Sequence, residues 1–104
     1  MAGYVLTKAA DKDLEDIARY TISEWGMDQA ESYLGKLERC FQNIGAGRVF
    51  LKNVSNRLSH VFVTRCEQHF IFYLAPEKKK RIILAVLHER MDILARLESR
   101  FQGL

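Results

Sequence analysis

Two stretches of helical period meet at a single glycine, and this junction restricts the possible folds more than any other feature of the chain. Leu14, Ile17, Ala18, Thr21, Ile22 and Trp25 fall at the i, i+3, i+4, i+7, i+8 and i+11 positions of one helical face. Thr7 stands ahead of them as an N-cap, and Asp11, Asp13, Glu15 and Asp16 crowd the first turns, where the helix dipole favours negative charge. Gly26 ends that helix without a Cβ penalty. Met27, Ala30, Tyr33, Leu34, Leu37, Phe41 and Ile44 then repeat the period until Gly45 to Gly47 break it. So short a link predicts an antiparallel helical hairpin. Two helices cover only part of the apolar surface they carry, so something flat must pack beneath them.

The second half of the chain supplies it. After the short apolar segment Tyr4 to Leu6, strands are predicted over Arg57 to Thr64, Gln68 to Leu74 and Lys80 to Leu87, all rich in Val, Ile, Phe and Tyr. Ala75-Pro76-Glu77-Lys78-Lys79 reads as a hairpin loop, and Cys66 falls at or near the preceding turn. The run Ile82 to Leu87 lacks alternation, so both faces of that strand should be at least partly covered. Met91, Leu94, Leu97 and Phe101 have the spacing of a short last helix. The expected fold is α+β, a single domain over 1–104 with the order β-α-α-β-β-β. It has an antiparallel-dominated sheet, a helical hairpin on one face and a short C-terminal helix. The place of the first strand in the sheet is left open. The second sheet face has no evident cover, and an exposed apolar surface on so small a protein marks a partner site.

Composition narrows the class. With 104 residues, 48% hydrophobic and 28% charged, the chain is one globular domain and no disordered tail. A net charge of +3 and a pI near 9.0 suit an acidic protein partner as well as nucleic acid. Cys40 and Cys66 match no metal or redox spacing and read as structural or incidental thiols. The charged N-terminus resembles no signal peptide, and the apolar runs are too short to span a bilayer, so a cytoplasmic protein is expected.

Few residues offer chemistry. His60, His69 and His88 lie on or beside different strands without metal-ligand spacing, and neither a metal nor another cofactor is implied. Cys66 with His69 is a nucleophilic pair in principle, but an i, i+3 spacing across a hairpin start does not predict the required geometry. Gly45-Ala46-Gly47 follows a helix where a phosphate loop would precede one. Lys78-Lys79-Lys80-Arg81 reads first as a solvated tip guarding a sheet edge, and second as a contact for phosphates or an acidic partner. His88 and Arg90, beside Glu89 and Asp92, form either a polar site at a sheet end or a surface Arg90–Asp92 pair anchoring the last turn.

Several segments together resemble a known family. They are Tyr4-Val5-Leu6-Thr7 with Ala10, Asp13, Leu14, Ile17 and Tyr20; Trp25-Gly26 with Ala30; Phe70-Ile71-Phe72-Tyr73; and Ile83 through Val86-Leu87-His88 to Arg90 and Asp92. In this order they are similar to ParE toxins of the ParE/RelE toxin–antitoxin family. RelE-type members are ribosome-dependent ribonucleases, whose chemistry needs an acid or base near the 2′-hydroxyl and cations on the phosphate. In those chains a Tyr or a His-Tyr pair follows the last strand. Here the last tyrosine is Tyr73 and Glu89 follows His88, although Arg57, Arg65, Arg81 and His88 remain.

The resemblance therefore implies the ParE branch: a toxin without catalytic residues that inhibits DNA gyrase by binding, with growth arrest and plasmid maintenance as consequences. Its implied partners are gyrase and a ParD-like antitoxin with a flexible C-terminal segment, with neither membrane nor sequence-specific nucleic-acid binding. Arg65, His88 and Arg90 become gyrase-contact candidates, while Tyr20, Trp25, Tyr33, Phe72, Leu94 and Leu97 become antitoxin-binding candidates. The family's need for its C-terminal segment makes Met91 to Phe101 a second candidate region. Alternatives are a RelE-type mRNA interferase dependent on His88 or Arg81, and a nontoxic module that only binds antitoxin.

Overall fold

The first strand lies at one edge of a sheet and the last helix lies beneath it. The computed structural model describes residues 3–101. Its elements are β1 (Tyr4–Leu6), α1 (Lys8–Trp25), α2 (Met27–Gly45), β2 (Val61–Cys66), β3 (His69–Leu74), β4 (Arg81–His88) and α3 (Ile93–Phe101). The order is the expected one. Thr7 caps α1, its Oγ1 accepting the Ala10 N–H at 3.1 Å. Gly26 serves both helices at φ 91°: its N–H donates to Ile22 O, and its carbonyl accepts the Ala30 N–H. A side chain would be strained in that backbone region, so one residue suffices for the reversal only because it is glycine.

The sheet order is β1-β4-β3-β2. β2, β3 and β4 form an antiparallel meander, while β1 lies parallel to β4 at the edge, with Leu6 opposite Ile83. That settles where the first strand joins. The β3–β4 register slips after Phe72, which faces Ala85 while Tyr73 faces Ile83, so Leu84 is the extra residue of a bulge. The bulge sends Leu84 and Ala85 to one face together, while Ile83 and Val86 are buried on the other, and burial on both faces is why β4 shows no alternation.

The hairpin α1–α2 packs Ala10, Leu37, Phe41 and Ile44 onto Ile71, Tyr73, Ile83 and Val86. Burial pushes the Tyr73 phenol above its ordinary pKa, and its hydroxyl is buried without a hydrogen-bond partner. α2 approaches β1 so closely at Gly45 that a Cβ there would lie 2.7 Å from the Gly3 carbonyl carbon.

Three expectations are corrected. The second sheet face is covered: Leu97 of α3 joins Val61, Phe72, Leu84, Ala85 and Leu87, with Val54 and Leu58 packed against them. Residues 57–60 form a turn instead of strand, because Ser55 captures the Leu58 N–H and Leu58 in turn accepts from Val61. Cys40 and Cys66 are joined in a disulfide that ties α2 to the end of β2, so they are not incidental thiols.

α3 is also tied by charge. The Arg100 guanidinium donates to Leu84 O at 2.8 Å and pairs with Asp13 of α1 at 3.1 Å. Asp13 meanwhile accepts the Val86 N–H at 3.0 Å. Where β1 stops, the side chains of Thr7, Asp13 and Arg100 thus continue the hydrogen bonding along the edge of β4.

Candidate functional site

After the last strand, where His88 and Arg90 allowed either a polar site or a surface pair, the structure gathers more polar groups than the sequence indicated. β2 and β3 are joined by Glu67 and Gln68, with Glu67 held at a left-handed φ of 56°. This turn brings His69 directly opposite His88 on β4. Their rings meet edge to face at 5.0 Å. Tyr33 reaches down from α2: its hydroxyl accepts the Gln68 N–H at 3.1 Å and lies 2.6 Å from His69 Nδ1. Burial, and secondarily the neighbouring His88, lower the His69 pKa to about 4, so the ring is neutral near pH 7. Burial likewise raises the Tyr33 phenol above its ordinary value.

Around this pair sits an ionic rim. Arg65 pairs with Glu89, and its guanidinium also lies 5.7 Å from the centre of the Phe70 ring. Lys36 stands 4.0 Å from Glu67. His88 Nδ1 accepts the Arg90 N–H at 3.0 Å, which turns the chain toward α3. Asp92 starts that helix by accepting the Ala95 N–H at 3.3 Å, a capping role in place of the surface pair with Arg90. The Arg90 side chain projects into solvent.

The sequence candidates divide accordingly. Arg65, His88 and Arg90 lie at this end of the sheet, where Glu89 pairs with Arg65 and His88 accepts the Arg90 N–H. Tyr33 belongs there too, though its hydroxyl is spent within the chain. Tyr20 and Trp25 stand on the helical hairpin at 63% and 70% exposure, beside exposed Met27. Phe72 and Leu97 are buried against the lower sheet face and reach no surface with α3 in place. The Leu94 side chain lies outside the described ones. Sequence reasoning passed over His69 as a partner of Tyr33, since nothing local links residues 36 apart. It also missed Phe50, 96% exposed, which with Val49, Lys52, Val63, Thr64, Arg65 and Phe70 lines a shallow groove along β2.

Among the described residues no group of three His, Cys, Asp or Glu side chains is placed to hold a metal ion. No described helix is long and apolar enough to cross a membrane. Cys66 is spent in its disulfide, which leaves no thiolate for His69 to activate.

Comparison with known proteins places this architecture. The family profile described as ParE toxin of type II toxin-antitoxin system, parDE, matches residues 4–93. The chain belongs to the ParE toxin family. It is 39% identical over 103 residues to Toxin ParE of Escherichia coli, covering 99% of this chain and 100% of that protein. Toxin ParE1 of Mycobacterium tuberculosis is 30% identical over 90 residues, covering 86% of this chain and 92% of that one. A solved structure titled chromosomal ParDE TA system from P. aeruginosa superposes with a TM-score of 0.71 at 15% identity. It covers 85% of this chain and 96% of that chain, a likeness of fold. The ParE profile takes in the whole His69–His88 cluster and stops at the first residue of α3.

Proposed function

We propose that this ParE-family chain is the toxin of a type II toxin–antitoxin pair and that it inhibits DNA gyrase by binding, without catalysis of its own. The observation that carries the reading is how the polar groups at the sheet end are engaged. His69 is neutral and tied to Tyr33, His88 accepts a backbone N–H, and Arg65 is matched by Glu89. A nuclease needs an acid or base with free reach and cations aimed at a phosphate. Here those groups are satisfied within the chain, an arrangement that suits a rigid docking surface, with Arg90 as its projecting cation.

The cognate antitoxin fits the other exposed feature. Tyr20, Trp25 and Met27 form an aromatic and apolar rim at the helical hairpin. Large side chains of this kind anchor extended or helical partner segments. A plasmid supercoiling assay with purified gyrase, ATP and rising amounts of this protein tests the proposal. Lost supercoiling or accumulated cleaved plasmid, reversed by antitoxin, is the expected outcome. Undisturbed supercoiling by folded protein would refute it.

A further inference from the structure

The hairpin tip between β3 and β4 was expected to guard a sheet edge, and the topology removes that role. β3 and β4 are the two inner strands, with β1 and β2 outside them. The lysines at the tip therefore have no open edge to protect. They also have company. Gly3 O accepts the Arg81 N–H at 3.1 Å, and Gly3 lies against Gly45 at the end of α2. A Cβ on Gly47 would sit 3.9 Å from the Arg81 guanidinium. Arg48 follows at once, so two segments far apart in sequence converge here.

These two segments, 45–48 and 76–81, hold Arg48, Lys78, Lys79, Lys80 and Arg81 against the single acid Glu77. That is five of the chain's 16 Lys and Arg residues but one of its 13 Asp and Glu residues, leaving eleven cations against twelve anions elsewhere. The net positive charge of the molecule is thus concentrated at this end. Lys12, Arg19, Lys36, Arg65 and Arg100 all have acidic partners. Among the described residues none of the five converging cations has one. Arg48, Lys78, Lys79 and Lys80 are exposed, and Arg81 is half-buried.

We propose that this end of the molecule binds the phosphate backbone of duplex DNA without sequence preference. Unpaired cations crowded on a protruding hairpin suit a line of phosphates, where neutralisation releases condensed counterions. Neither segment contributes an exposed large apolar side chain. A protein interface would need such an anchor, and a single-strand site would need aromatic platforms for the bases. The surface lies at the opposite end of the strands from the His69–His88 cluster, and its existence does not depend on the gyrase reading.

Fluorescence anisotropy of a short labelled duplex, titrated with the full chain over a range of salt concentrations, tests this directly. Three or four contacted phosphates give a log–log salt slope of about −3 to −4, or roughly tenfold in affinity for each doubling of salt. The triple variant Lys78→Gln, Lys79→Gln, Lys80→Gln changes only exposed side chains. It should flatten the slope by about two units or more and weaken low-salt binding at least tenfold. The control Lys8→Gln, Lys12→Gln should leave the slope unchanged. Absence of binding at low salt, or equal binding by a correctly folded triple variant, overturns the proposal. So does tighter binding of a single strand or of polyglutamate than of the duplex.

Discussion

Removing the Cys40–Cys66 bond, by reduction or by the double substitution Cys40→Ala, Cys66→Ala, tests how much of this small domain depends on one covalent tie. The two cysteines are 26 residues apart, and the loop they close contains the end of α2, the irregular segment after it and all of β2. On the chain-entropy account, a cross-link closing a loop of that length removes about 3.5 kcal/mol of freedom from the unfolded state at 25 °C. For 104 residues the unfolding entropy near the midpoint is roughly 0.2 kcal/mol per degree. The bond should therefore raise Tm by about 16 °C. Calorimetry of the oxidised protein, the reduced protein and the double variant measures this, with alkylation confirming the thiol state. Reduced wild type and double variant should melt together, well below the oxidised form. A fall of less than about 4 °C, equivalent to less than about 1 kcal/mol, would refute the reasoning, because the unfolded chain would then gain little by being released.

Three further outcomes follow from the geometry. His69 has a folded pKa near 4 against 6.5 for a free imidazole, so the unfolded chain binds the extra proton between those values. Stability should be full above about pH 6.5 and fall by up to about 3 kcal/mol toward pH 4, a slope that urea midpoints would show and that His69→Gln would flatten. Gly45→Ala places a methyl group 2.7 Å from the Gly3 carbonyl carbon, so α2 or β1 must shift, and a loss of about 1–3 kcal/mol in chemical denaturation is expected. Trp25→Ala, at a residue 70% exposed, should change stability by less than about 0.5 kcal/mol yet weaken antitoxin binding by more than about 1 kcal/mol in calorimetric titration.

The local signals were the legible ones. The period of α1 and α2, the stop at Gly26 and the apolar run of β4 each arise within a few residues, and the structure repeats them with boundaries shifted by little. Contacts between distant segments left no such trace. β1 could not be assigned an edge, because three residues carry no register of their own. The lower sheet face looked bare, since nothing in the spacing of Leu97 says which surface it meets. The site divided in the same way. That His88 and Arg90 sit just past a strand end was visible in sequence, and the structure sets Arg65 at the same end of the sheet. The Tyr33–His69 contact was not, because it depends on how α2 lies across the β2–β3 turn.

The tie between Arg100 and Asp13 bears on how shortened forms of this protein are to be understood. Cutting the chain before residue 100 removes more than a tail: it strips a counter-charge from the first helix and a donor from the Leu84 carbonyl. A carboxylate with a 14% exposed side chain would keep the Val86 N–H as its remaining neighbour. A cut before residue 97 would in addition strip the Leu97 cover from the apolar face around Phe72 and Leu87. Inactivity of such a truncated form is therefore no evidence that the missing residues touched the target. Only a full-length form with altered outward-facing positions on α3, such as Arg96 or Glu98, separates lost recognition from a disturbed scaffold.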